Sequence, residues 1–259
     1  MSNVVVILFF ITATVTLGYY FKLLTISGAI TAFVVGFLVV LGLGMEGLMI
    51  LGLFFTSSSL WSKIKSAKKR KAEELLVKGS QRDWQQVLAN GGLAAVASAL
   101  YYLTGDSVWL IGFCICLAAA NSDTWASEIG SMSKGRPVNV KTFKRSERGT
   151  SGAISLLGTF AAGVGSFLIA IASFFLFDLT IIEFYFILIF GFLGNLVDTI
   201  LGAFVQASYQ CLNCGIITEK QTHCGMKTKL IKGFRLLNND TVNFLSVFFA
   251  LVMGMLMMN

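Results

Sequence analysis

The stretch IIEFYFILIFGFLGNLVDTILGAFV, residues 181–205, is almost entirely apolar, with Glu183 and Asp198 as its charged side chains. It is long enough for an α-helix that crosses a bilayer, which takes about 20 apolar residues. The whole chain is similarly apolar, with 56% hydrophobic residues, 13% charged residues and a mean hydropathy of +0.78. Soluble domains are usually about 25% charged. The composition therefore argues against a water-soluble core and predicts an all-α polytopic membrane protein.

Eight apolar runs follow one another along the chain: residues 4–21, 26–42, 47–60, 84–103, 107–125, 150–177, 181–205 and 241–258. The third run is short for a span, so a re-entrant or tilted segment would also fit and seven spans remain possible. The first run resembles a signal peptide, but it lacks a preceding basic residue and a clear cleavage site, so we expect a span. We therefore expect about eight transmembrane helices in one integral membrane domain, residues 1–259.

Lys and Arg are concentrated in three loops, because residues 61–84, 127–149 and 208–240 hold nineteen of the twenty. With eight spans, all three loops face one side of the membrane. Such residues mark the cytoplasmic side, so we predict a cell-membrane protein with both termini outside and three basic cytosolic loops. This bias and anionic lipid headgroups account for the net charge of +7, so we expect no nucleic-acid partner. Residues 63–78 are predicted to form a helix on the membrane surface.

Three carboxylates lie in or at the edge of apolar runs: Asp123, Glu128 and Asp198. A charge at bilayer depth costs at least about 2.5 kcal/mol, so such acids are functional candidates. Under the predicted topology, Asp123 and Asp198 lie at similar depth, toward the cytosol. Carboxylate oxygens suit magnesium, which proteins often hold together with substrate phosphates. We expect the two aspartates to face each other and hold magnesium; the alternative is hydrogen bonding between helices by protonated acids.

Further polar clusters lie at the same predicted membrane face. The segment that leads into the sixth run contains Lys144, Arg145, Arg148, Gly149, Thr150 and Ser151. Free N–H groups and the dipole of a helix start would make this segment a phosphate cradle; the alternative is an ordinary N-cap. Two more clusters begin the fourth and eighth runs, and we treat them as secondary site candidates: Arg82, Gln85, Gln86 and Asn90, and Asn238, Asn239, Asp240 and Asn243.

The loop at residues 208–240 contains a cysteine–histidine cluster, which consists of Cys211, Cys214, His223 and Cys224. Four such side chains are the usual ligand number for structural zinc. The loop is predicted to be cytosolic, where disulfides are disfavoured. A small zinc knuckle is one interpretation, and free thiols or a redox pair are the others.

Five segments together resemble one known family: RDWQQVLANG from Arg82, ANSDTWASEIG from Ala120, RGTSG from Arg148, GNLVDTILG from Gly194 and LNNDTVNF from Leu237. It is the integral-membrane family of transmembrane protein nineteen and the plant phytyl-phosphate kinase. The resemblance spans almost the whole chain, and the cysteine–histidine cluster resembles the prokaryotic branch. It implies a kinase that converts an isoprenyl monophosphate to the diphosphate with a nucleoside triphosphate, CTP being favoured. It also implies that the zinc would be structural.

The resemblance gives roles to these candidates and to two neighbouring asparagines. Asp123 and Asp198 would hold magnesium, with support from Glu128, Asn121 and Asn195. Arg148 and the amides of residues 149–152 would hold phosphates. The nucleotide would be attracted by Lys134, Lys141, Lys144 and Arg145. The main alternative is a transporter or flippase of a lipid phosphate, in which the same acids would carry protons or sodium. A scaffold protein is a third interpretation, but it leaves the buried acids unexplained.

Overall fold

The computed structural model describes residues 2–64, 66, 69 and 75–258, and helices dominate that part of the chain. They are α1 (Ser2–Tyr20), α2 (Ile26–Lys63), α3 (Trp84–Thr104), α4 (Ser107–Gly130), α5 (Leu156–Leu176), α6 (Ile181–Phe204) and α7 (Asn239–Met258). Six of these, α2 to α7, are long and apolar enough to cross a membrane. The prediction of a helical polytopic protein is confirmed. Half of the surface helix predicted for residues 63–78 lies outside the described residues.

Helix α2 is broken at Gly44, where the backbone takes φ 62° and ψ −152°. An unbroken helix of 38 residues would be about 57 Å long, almost twice the hydrocarbon thickness of a bilayer. The two parts instead fold back on each other, because a Cβ placed on Gly36 would lie 3.8 Å from Cδ1 of Leu48. The second and third apolar runs are therefore two antiparallel segments, as the sequence suggested. The number of membrane crossings stays a prediction.

Helix α4 forms the centre of the bundle, because every residue from Ile111 to Ser122 is buried. A helix that is apolar all round needs neighbours on every side, and α2, α3, α5, α6 and α7 provide them. Helix α6 comes especially close. A Cβ on Gly191 would lie 2.5 Å from the Cβ of Ala118, and one on Gly194 would lie 2.5 Å from the Cβ of Ala119. This close packing brings the next turns of both helices together.

The basic loops at one end of the bundle contain short antiparallel strands that the sequence analysis did not predict. Strand β1 (Val138–Asn139) pairs with β2 (Ala153–Ile154) ahead of α5. After α6, β3 (Ser208–Gln210) lies between β4 (Ile217–Thr218) and β7 (Lys229–Lys232). A separate hairpin joins β5 (Thr222–His223) to β6 (Met226–Lys227). These strands fix the basic loops above the helix ends.

Candidate functional site

A cavity of about 750 Å³ lies at the end of the bundle that carries the basic loops. Ligand sites in proteins usually measure about 300–1,000 Å³, so the cavity has room for a phosphorylated small molecule. Its walls come from the ends of α2, α4 and α6, the starts of α3, α5 and α7, and the loop strands between them. Polar side chains from segments distant in sequence therefore converge on one space.

Asp123 on α4 and Asp198 on α6 both line this cavity. They lie close enough for their negative charges to repel each other. Asp198 accepts a hydrogen bond from Ser246 Oγ at 3.4 Å. It also accepts one at 3.0 Å from the amide nitrogen of Asn243, in the amide orientation that satisfies both of that side chain's polar atoms. Among the described residues, none forms a hydrogen bond or ion pair with the Asp123 side chain.

Asn195 lies one turn before Asp198 and lines the same cavity. The residue is 5% exposed, so its amide is shielded from bulk water. Two carboxylates and an amide offer oxygen ligands only, which is the chemistry that a hard divalent cation prefers. Repulsion between the carboxylates also disfavours leaving both ionised without a cation between them. These three residues fit the expected magnesium site.

Glu128 lines the cavity, but its carboxylate already has partners on other segments. Lys69 Nζ lies 2.6 Å from its Oε2, and the hydroxyl of Ser62 donates to its Oε1. Lys69 also donates to the carbonyl oxygens of Trp61 and Ser62, at 2.8 Å each, at the end of α2. Glu128 thus neutralises a buried lysine that caps a helix, which does not favour the expected support of the metal ion.

Asn121 was expected to support the ion, but it lies outside the cavity lining and is fully buried. Its Oδ1 accepts hydrogen bonds from Ser57 Oγ at 3.1 Å and Ser58 Oγ at 3.0 Å. Its Nδ2 donates to the carbonyl oxygen of Gly165 at 2.8 Å. The side chain therefore ties α4 to α2 and α5, which is a structural role.

The proposed phosphate cradle does not begin a helix, so this part of the sequence prediction was wrong. Helix α5 starts at Leu156, and the hydroxyl of Ser155 caps it by accepting from Gly158 N. The preceding segment is a turn that leads into β2. Its glycines carry φ +81° at Gly149 and φ +76° at Gly152, values that suit glycine.

That segment nonetheless forms one wall of the cavity, which residues Arg148, Gly149, Thr150 and Ser151 line. The guanidinium of Arg148 donates to the carbonyl oxygens of Ser133, Lys134 and Gly135, at 3.1, 3.2 and 3.3 Å. Arg148 therefore also holds the loop after α4 in place. Lys144 and Arg145 are exposed and lie outside the lining.

The secondary clusters also contribute to the lining, through Arg82, Asn90, Asn239 and Asp240. Asp240 forms an ion pair with Lys78, whose Nζ also lies 2.7 Å from Asp83. Burial lowers the pKa of Lys78, but the hydrogen bonds to Asp240 and Asp83 together raise it above its ordinary value. Lys78 thus stays charged at the cavity wall.

Arg82 lies against the aromatic rings of Phe54 and Phe55, with its guanidinium carbon 5.6 and 5.4 Å from their centroids. Burial lowers the pKa of Arg82 to about 10, and the nearby charge of Glu128 opposes this change. The guanidinium lies over the faces of the two rings, a cation–π arrangement that restricts its movement. Arg82 is therefore a fixed positive group beside the cavity.

The lining also contains charged residues that the sequence did not indicate, among them Glu219, Lys220 and Arg235. Glu219 accepts hydrogen bonds from Ser151 Oγ at 2.9 Å and Gln206 Nε2 at 2.7 Å. Within the described part of the chain, no carboxylate pairs with Lys220 or Arg235. These residues lie in a loop without helical periodicity, so no sequence pattern pointed to the cavity.

The cysteine–histidine cluster is brought together as predicted. One ligand atom from each of its four residues lies within 4.8 Å of all the others. The cluster is outside the cavity lining, so its chemistry is separate from that of the two aspartates.

Comparisons with known proteins place the chain among membrane proteins. The model of a family described as integral membrane protein DUF92 matches residues 9–251. Protein PGR of Arabidopsis thaliana is 34% identical, over 89% of this chain and 87% of its own. An uncharacterised membrane protein of Methanocaldococcus jannaschii is 35% identical, over 70% of this chain and 74% of its own.

A more distant relative is Protein VTE6, chloroplastic, of Arabidopsis thaliana, which is 27% identical over 90% of this chain and 65% of its own. No solved structure matches the chain. The family match covers nearly the whole sequence, including the helices and loops that form the cavity. The chain therefore belongs to the DUF92 family of integral membrane proteins.

Proposed function

We propose that this protein is a membrane-embedded kinase that converts an isoprenyl monophosphate to the diphosphate with a nucleoside triphosphate. The observation that carries the proposal is the meeting of Asp123 and Asp198 in one polar cavity with lysines and arginines on its walls. Phosphoryl transfer needs a cation site, positive groups for phosphate and correct positioning, and little covalent chemistry from the protein. The resemblance to the phytyl-phosphate kinase family supports the same reaction.

Asp123, Asp198 and Asn195 would hold the magnesium ion, since they offer oxygen ligands in one part of the cavity. Bound magnesium would offset the charge of the nucleotide phosphates and orient them. Lys220 and Arg235 have no ion-pair partner among the described residues, so they are available for phosphate oxygens. The turn at residues 148–152 would present backbone N–H groups to the same phosphates.

The reaction requires no strong general base. An oxygen of the acceptor phosphate forms a bond to the γ-phosphorus of the nucleotide, and the bond from that phosphorus to the β–γ bridging oxygen breaks. The nucleoside diphosphate leaves with the electron pair. Because the acceptor is already an anion, no side chain must remove a proton from it, which agrees with a cavity that His223 does not line.

The apolar tail of the acceptor would lie along the start of α5. Leu156 is 93% exposed and Phe160 is 70% exposed, and both lie beside the lining residues Ser155, Gly158 and Thr159. An isoprenyl chain in the bilayer would contact this surface while its phosphate enters the cavity. The placement suits a lipid substrate that approaches from the side.

A transporter of the same lipid phosphate is less well supported. Transporters bind substrates near the middle of the bilayer, at helices that are interrupted there. Helices α4 and α6, which carry the two aspartates, are continuous. The break at Gly44 lies at the other end of the bundle, where Gly44, Tyr101 and Asp178 line one shallow depression. The kinase is therefore the function that the geometry favours.

The test uses purified protein in detergent, with magnesium, γ-labelled CTP or ATP, and geranylgeranyl or phytyl monophosphate. We expect label in a prenyl diphosphate, only when magnesium is present. The transporter would become the better proposal under two results together. No transfer would be seen across several chain lengths and all four nucleotides, and a lipid phosphate would be taken up into proteoliposomes.

A further inference from the structure

The cysteine–histidine cluster has the spacing of a tetrahedral zinc site. With Zn–S and Zn–N bonds of about 2.3 and 2.05 Å, two sulfurs of a tetrahedron lie about 3.8 Å apart, and a sulfur and a nitrogen about 3.6 Å apart. Here Cys214 Sγ lies 3.8 Å from Cys224 Sγ and 3.5 Å from His223 Nδ1. Cys224 Sγ lies 3.2 Å from the same nitrogen. Three of the four ligands therefore lie close to their places around one ion.

The backbone of the cluster is shaped to present these side chains. Cys211 O accepts from Gly215 N at 2.9 Å, which folds the first pair of cysteines into a tight turn. Cys224 and Gly225 form the turn between β5 and β6, with φ +51° and +74°. Such turns favour Asn or Asp before glycine, and a positive φ is uncommon for cysteine. A cysteine at this turn position is best explained by a metal ion that its thiolate binds.

A disulfide fits the geometry less well. The described cysteines are all free, and an S–S bond of about 2.05 Å would need Cys214 and Cys224 to approach much closer than 3.8 Å. His223, which lies against both sulfurs, would have no role in a disulfide. The four residues act more naturally together on one borderline-soft cation.

The cluster lies beside the segment that supplies one wall of the cavity. Between its two halves, β4 leads into Glu219 and Lys220, which reach the cavity. The hydroxyl of Thr218 and the amide of Glu219 both donate to the carbonyl oxygen of Leu75, at 2.7 and 3.0 Å. The strands of this loop are only two to four residues long, so a bound metal ion would add stability to its shape.

We propose that Cys211, Cys214, His223 and Cys224 bind one zinc ion, which fixes the loop that delivers Glu219 and Lys220 to the cavity. The role is structural, because all four ligand positions are filled by protein and no position is open for a substrate. The proposal does not rest on the proposed kinase reaction, because zinc content is measured without it.

The test measures metal content in the full-length protein, purified in detergent from zinc-supplied cells. We expect about one zinc per chain by mass spectrometry of the elements, and loss of that zinc in Cys214→Ser and Cys224→Ser. Cys114→Ala is the matched control, since it removes a buried cysteine of α4 that lies outside the cluster; this variant should keep its zinc.

Wild-type protein gives two further readouts should the serine variants fail to fold. Cobalt added after zinc removal should produce the intense thiolate-to-cobalt absorption of a tetrahedral sulfur-rich site. A zinc chelator should speed trypsin cleavage at Lys227 and Lys229, which are exposed in the loop. Protein without zinc and without the cobalt band, a resting Cys214–Cys224 disulfide, or zinc retained in both serine variants would each overturn the proposal.

Discussion

At the residue scale, Glu219 is an acid held in a place that disfavours its charge. Burial raises the pKa of Glu219 to about 7 from an ordinary value of 4.5. The hydrogen bond from Ser151 and the charge of Lys232 oppose this rise, while the charge of Asp240 adds to it. The folded protein thus binds the proton of Glu219 more tightly than the unfolded chain does.

A pH dependence of stability follows from Glu219. Its contribution should be fully present below about pH 4.5 and should be lost as the pH rises through about 7. The loss is on the order of 3 kcal/mol at most. Glu219→Gln removes the titration, so its thermal unfolding in detergent should vary less between pH 5 and 8. Parallel pH profiles for the two proteins would contradict the burial of this acid.

Single residues also show where sequence reasoning succeeds and where it ends. A carboxylate in an apolar helix has a high free-energy cost, and this cost alone indicated a functional role for Asp123 and Asp198. The same criterion selected Asn121 and Glu128, but their partners Ser58 and Lys69 come from a distant segment. Because the sequence does not reveal such partners, structural and chemical roles of buried polar residues could not be separated.

At the element scale, the contact between α4 and α6 sets the position of the two aspartates. A Cβ on Gly191 would lie 2.5 Å from the Cβ of Ala118 and 2.4 Å from Ser166 Oγ on α5. Real Cβ atoms do not approach so closely, so one of the helices would have to move. Asp198 lies two turns further along α6 and would move with it.

The corresponding variant is Gly191→Ala. We expect a loss of about 1–3 kcal/mol, since overpacking of a tight interface has this cost, with a lower midpoint of thermal unfolding. Gly163→Ala on α5 is the matched control, because a Cβ there meets nothing within 4 Å. This second variant should be neutral or slightly stabilising. Equal effects of the two substitutions would argue against the tight packing of α6.

The boundaries of elements were only partly predictable. The gap between the second and third apolar runs correctly indicated the break at Gly44. The start of α5 was placed at Thr150 instead of Leu156. By residue type, the N-cap of α5 could be Thr150, Ser151 or Ser155. The pairing of β2 with β1 keeps the first two out of the helix, so Ser155 is the N-cap. That pairing joins residues from two sides of a loop, and it has no periodic signature.

At the scale of the whole molecule, charge is distributed between the two ends of the bundle. The end with the cavity carries the basic loops, and the other end carries Glu46 and Asp178 around its shallow depression. From the positive-inside bias we propose that the cavity faces the cytosol, where nucleotides are available. The expected orientation comes from the distribution of charge along the sequence, whereas the cavity required the packing of segments far apart in sequence.

The orientation can be measured with single cysteines and a membrane-impermeant maleimide. Asp106→Cys, between α3 and α4, should be labelled in intact cells. Lys141→Cys, in the loop before α5, should be labelled only after the cells are made permeable. Wild-type protein provides the background from the native cysteines. The reverse pattern would place the cavity outside the cell and remove its access to cytosolic nucleotides.

The most direct test of the central claim compares three Asp→Asn variants in the prenyl-phosphate kinase assay. Asp123→Asn and Asp198→Asn should each lower magnesium-dependent transfer by at least about 100-fold, since loss of a metal ligand removes several kcal/mol of transition-state stabilisation. Asp178→Asn, at the opposite end and at φ +48°, which asparagine adopts readily, should retain the activity of the wild type. Full activity and unchanged magnesium dependence in Asp123→Asn or Asp198→Asn would contradict the account.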